Sequence, residues 1–88
     1  MEQVPGKRRQ PAAQPYGRWE EETKGLIEEE MSRRAIRYKE LSRMLEKMGI
    51  DESPDQINRK VNRKRFSAAF LLACLAAMGV SSIPIISE

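Results

Sequence analysis

The run from Ala68 to Met78, AAFLLACLAAM, has no charged side chain and no polar group except the Cys74 thiol. No other feature limits the fold as much. Crossing a bilayer takes roughly 20 apolar residues, so this run is too short to span one and reads as a buried helix. Ser67 is a good N-cap in front of it, and Gly79 a stop behind it. Phe66 and Leu71 have the spacing of a hydrophobic staple, which fixes the angle at which the chain enters. Phe70, Leu71, Leu75 and Met78 are large enough to anchor neighbouring helices, with Leu72 and the alanines on the remaining face. A chain of 88 residues can hardly surround such a helix alone, so part of it is expected at a subunit interface.

The segment before it has the opposite character. Ser53, Pro54 and Gln56 signpost a helix start: an N-cap, a proline at the first helical position and an S-x-x-Q capping box. Ile57 and Val61 are four apart and share one face, which should point inward. Asp55, Gln56, Arg59, Asn62 and Arg63 then fall on the opposite face, flanked by Asn58 and Lys60. Arg pairs with guanine, and Asn or Gln with adenine, through two hydrogen bonds each. A charged helix face is more often merely solvated. Here the charge is one-signed over Arg59, Lys60, Arg63, Lys64 and Arg65, which favours a nucleic-acid surface.

Two further helices are expected upstream. One opens at Trp19 and carries Trp19, Thr23, Leu26, Ile27, Met31 and Ala35 near one face; Gly25 weakens it and is read as permitting close approach of the apolar helix. The other runs from Tyr38 to Met48, with Leu41, Met44, Leu45 and Met48 as its stripe and Gly49 as its stop. Ile36 and Arg37 form a tight connection between them, and Ile50 reads as a buried plug. Residues 1–17 hold three prolines and little to bury, and read as a disordered arm whose Lys7, Arg8 and Arg9 could reach phosphates. The tail, residues 81–88, is apolar through Ile83, Ile85 and Ile86; it either packs back on the core or forms an edge strand against a second subunit.

Net charge is only +3. The acid is concentrated in Glu20, Glu21 and Glu22 and in Glu28, Glu29 and Glu30, which predicts one face for nucleic acid and another turned away. With one cysteine and no histidine, an intrachain disulfide, a Ser-His or Cys-His pair and a cysteine-based zinc site are excluded. No carboxylate pair sits in an apolar setting, so an enzyme is not expected. Neither is a cofactor or a metal. There is no secretory signal, and a cytoplasmic location with no membrane contact follows.

Glu40-Leu41-Ser42-Arg43-Met44-Leu45, then Gly49-Ile50, then Ile57 and Val61, then Phe66 to Gly79 together resemble the lambda-repressor/Cro-like (XRE-type) helix-turn-helix superfamily. Trp19, Tyr38-Lys39-Glu40-Leu41, Ile57 through Arg63 and Phe66 through Leu75 also resemble a bacterial family of uncharacterised small domains. The first resemblance implies an all-α, lambda-repressor-like four-helix domain over residues 18–80. Its third helix would read double-stranded DNA in the major groove. Gln56, Arg59 and Asn62 would then meet base edges. Lys60, Arg63, Lys64 and Arg65 would meet phosphates, with Arg37 and Lys39 gripping the backbone from the second helix. The second helix and the following turn are both longer than the superfamily's, so the register on DNA differs. The leading expectation is a small transcriptional regulator acting as a homodimer. The alternative is a protein-interaction module, a phage- or plasmid-type inhibitor or adaptor on the same scaffold. RNA binding ranks third, because aromatics are few and no stacking platform shows in the sequence.

Overall fold

The computed structural model describes residues 15–85. They form four helices: α1 (Gly17–Arg33), α2 (Tyr38–Glu46), α3 (Pro54–Arg63) and α4 (Ala68–Ala77). Among the described residues there is no strand, so the protein is all-α. Most of the expected arm, and Ile86 with the rest of the tail's end, lies outside the described residues. Gly17, expected in the arm, belongs to α1.

The core is one cluster: Ile27 and Met31 from α1, Leu41 and Leu45 from α2, Ile57 and Val61 from α3, and Phe70, Cys74 and Leu75 from α4 with Met78 at its C-cap. Each of α1, α2 and α3 supplies a pair of residues four apart, the spacing that puts two side chains on one face of a helix. Five expected members of the apolar stripes stay outside, Thr23 and Leu26 among them at half-burial. Trp19 and Met48 are exposed, and Ala35 lies beyond the end of α1. Met48 follows the last helical residue of α2, so the helical period no longer governs where it points. Ile50 packs against the core as expected, and so does Ile83, without strand pairing in residues 81–85.

α1, α2 and α4 end in the same way. The Ile36 N–H donates to Met31 O at 2.8 Å, Ile50 to Leu45 O at 3.0 Å and Val80 to Leu75 O at 2.9 Å. Just before each donor, the residue is left-handed: Ala35 at φ 56°, Gly49 at 83° and Gly79 at 85°. These are Schellman closures, in which an apolar residue past the end folds back over the last turn. Ile36, Ile50 and Val80 are all partly buried on the core. A single packing device therefore turns the chain three times.

α1 and α4 are also clamped at their C-terminal ends. Glu30, the one buried charged residue among those described, accepts from Arg33 Nη1 at 3.1 Å and Arg34 Nε at 3.0 Å. Arg34 Nη1 then donates to Met78 O at 3.0 Å, satisfying a carbonyl that the end of α4 leaves without a helical partner. Gly25 does not bring α4 close, contrary to expectation: a Cβ built there meets nothing within 4 Å.

Candidate functional site

α3 starts as its sequence predicts. Ser53 Oγ accepts from the Gln56 N–H at 3.1 Å, and Gln56 Oε1 accepts from the Ser53 N–H at 2.8 Å. The turn in front of it is pinned by Ser42, whose hydroxyl donates to Glu52 O at 2.6 Å. With its cap set and Ile57 and Val61 buried, α3 turns Asp55, Gln56, Asn58, Arg59, Asn62 and Arg63 to solvent.

The residues expected to meet base edges differ in how free they are. Gln56 is exposed, but its carboxamide oxygen is engaged in the capping box. Asn62 is exposed, and its Nδ2 donates to Asn58 O at 2.9 Å and to Asn58 Oδ1 at 2.5 Å. Near it, the Tyr38 pKa is raised by burial first and by the Glu28 charge second, with Asn62 opposing. Arg59 is exposed and makes no ion pair among the described residues.

The residues expected to meet phosphates divide more sharply. Lys60 is half-buried: its ammonium lies 2.5 Å from Glu52 and 5.0 Å from the centroid of the Phe70 ring. Lys64 pairs with Glu21, and Arg65 Nε meets Glu20 at 3.0 Å. Lys64 also holds the Glu21 pKa down, through its hydrogen bond first and its charge second. Arg63 has no carboxylate partner among the described residues, and its Nε donates to Arg65 O at 3.3 Å. Arg37 and Lys39 are exposed at the start of α2, where the Arg37 N–H donates to Glu40 Oε1 at 2.7 Å.

The acidic first turns of α1 therefore do not sit on a face turned away from α3. They fold against its C-terminal end and neutralise two of its cations. The second acidic cluster, at Glu28, Glu29 and Glu30, pairs with cations of α1 itself: Lys24, Arg33 and Arg34. Both arrangements depend on tertiary placement or on the end of α1, neither of which a charge count reveals.

The same contact creates the feature that sequence reading missed. Tyr16 and Trp19 from the start of α1, with Phe66 from the α3–α4 connection, line an open groove of about 640 Å³ together with Arg63, Lys64 and Arg65 and the acidic Glu20. Trp19 and Phe66 are far apart in the chain, and only the packing of α1 against the end of α3 brings them to one place.

Four short helices around one apolar cluster, with the third helix presenting an amide- and guanidinium-bearing face, define a small all-α domain. The chain belongs to the family described as "Domain of unknown function (DUF6471)", whose pattern matches residues 19–83. The matched span takes in all of α2, α3 and α4 and nearly all of α1. No curated protein and no solved structure matches the chain.

Proposed function

We propose that this domain is a small, non-catalytic, cytoplasmic transcriptional regulator that binds double-stranded DNA in helix-turn-helix fashion, with α3 in the major groove. The observation that carries the reading is Arg59. It stands on the outward face of α3 beside Asn58, Asn62 and Arg63, and neither guanidinium has an acidic partner among the described residues. Like charges four apart on a helix destabilise it slightly, and a polyanion laid along that face reverses the sign. Arg37 and Lys39 supply further exposed cations for the backbone. Lys60, Lys64 and Arg65 join the phosphate set only by exchanging their carboxylates for phosphates.

Selection from a random duplex library at moderate salt tests the reading. Sequence enrichment is expected, with affinity falling steeply as salt rises because counterions are released. Arg59→Ala should cost about 1–3 kcal/mol at the selected site and relax specificity there. Binding that shows neither enrichment nor salt dependence overturns it.

A homodimer is part of the proposal. Leu72 is 62% exposed on the outer face of α4, with Ala69 and Ala76, and no charge interrupts that face. The same face favours the second reading, a protein-interaction module. A stoichiometric partner protein retained after nuclease treatment would select that reading over DNA binding.

A further inference from the structure

We infer that the groove between the start of α1 and the α3–α4 connection is a binding site for single-stranded nucleic acid, with Trp19 as its stacking platform. The inference does not depend on how α3 meets a duplex. It rests on three aromatic rings and three cations that only the packing of the start of α1 against the α3–α4 connection gathers into one groove. Tyr16 is 73% exposed and Trp19 41% exposed, although large aromatic side chains are ordinarily buried for the apolar area they contribute. Phe66 forms the floor and is braced edge-on by Phe70, with ring centroids 5.4 Å apart at 61°.

The Arg18 guanidinium lies 4.8 Å from the centroid of the Trp19 ring. That cation sits over the indole, and a base would stack on the part of the ring that stays exposed to the groove. Every base has a π face, so such a platform accepts any sequence, and its cations follow the backbone. Arg63 has no carboxylate partner among the described residues and supplies the standing positive charge. Lys64 and Arg65 are held by Glu21 and Glu20. Those carboxylates occupy the positions that phosphates would take, so a strand enters by exchange, releasing the carboxylates to water. A duplex cannot use this site, because its bases are already stacked on each other. An unpaired strand or a frayed end can.

Trp19 is the only tryptophan in the chain, so its emission reports on the groove alone. The probes are a short oligodeoxyuridylate, a short oligouridylate and inorganic polyphosphate, titrated into the full chain. Both oligonucleotides should quench Trp19 emission at saturation, and the stronger of the two identifies which sugar the site prefers. Arg63→Ala keeps the reporter and should weaken oligonucleotide binding several-fold, with a shallower dependence on salt, by about 0.7 in the log–log slope for one phosphate contact. Trp19→Leu, followed by anisotropy of a labelled oligonucleotide, should weaken binding about tenfold. Arg59→Ala should leave the quenching unchanged while it weakens duplex binding, which separates this site from the duplex-reading face: a parent chain that binds no duplex sinks the α3 proposal and not this one, and an Arg59→Ala variant that loses the quenching overturns this one. Unchanged emission at saturating oligonucleotide overturns the inference. So does polyphosphate that binds and quenches as well as the oligonucleotides, since that result means charge alone.

Discussion

Ala35 is left-handed at φ 56°, closing α1 where a glycine would do so without a Cβ penalty. Gly25 lies inside α1, where a Cβ meets nothing within 4 Å. Each position would suit the other's residue better. Gly25→Ala should stabilise the fold by up to about 1 kcal/mol through helix propensity. Ala35→Gly should stabilise it by about 0.5–1 kcal/mol, the left-handed penalty minus the added chain entropy of glycine. Urea midpoints measure both, and a loss from either substitution contradicts the corresponding account. Cys74 gives a pH dependence. Its thiol pKa is pushed from 9.0 up to about 12, by burial first and by the Glu52 charge second, with Lys60 opposing. The folded pKa is above the unfolded one, so the native state holds its proton longer. That contribution is complete below pH 9.0 and is lost as pH rises from there towards about 12. Stability measured up this range should fall less steeply in Cys74→Ala than in the parent. Some fall should persist in the variant, because Tyr38 is shifted in the same direction.

At the scale of whole elements, the sequence shows most where a rule is local. The Ser53 cap and its reciprocal bond to Gln56, the Ser67 cap, the Gly49 and Gly79 stops and the inward pair Ile57 and Val61 all involve residues within a turn of each other. Periodicity found them because no distant group competes. The end of α1 escaped because Ala35 carries no glycine signal; the sign of closure was the apolar residue at Ile36, five after Met31, as Ile50 follows Leu45 and Val80 follows Leu75. Glu30 escaped for a different reason. It reads as one more solvated glutamate, yet it is buried and holds Arg34 against the end of α4. Removing its carboxylate leaves two guanidinium groups without it and frees the cap. Glu30→Ala should cost about 2 kcal/mol, the scale of hydrogen bonds to charged groups. Amide exchange should quicken most at Met78, Gly79 and Val80. An equal loss of protection throughout the domain would show that Glu30 supports the core generally rather than the α1–α4 clamp.

Across the whole molecule, charge and apolar surface occupy different places. α3 turns Arg59 and Arg63 to solvent, α1 and the end of α3 neutralise each other, and α4 leaves an uncharged outer face at Ala69, Leu72 and Ala76. Beside Leu72 lies a groove of about 260 Å³ whose other lining includes Leu75, Ala76, Val80 and Ile83. A protruding leucine next to an apolar groove can serve two copies at once, because a two-fold axis makes each surface meet its own equivalent. Among the described residues of that face, Ala69, Leu72 and Ala76, none is charged, so closing it does not carry the usual cost of burying charge. Leu72→Glu tests the arrangement without endangering the fold, since the side chain contributes little to the monomer core. Two copies of the glutamate would enter one interface, and dissociation should strengthen by at least about tenfold, the factor set by 1.4 kcal/mol. Sedimentation at several concentrations should show the parent shifting from monomer to dimer and the variant remaining monomeric over the same range. A parent that stays monomeric throughout would end the homodimer proposal and leave the face for a different protein. A variant that dimerises as the parent does would place the contact elsewhere on the domain.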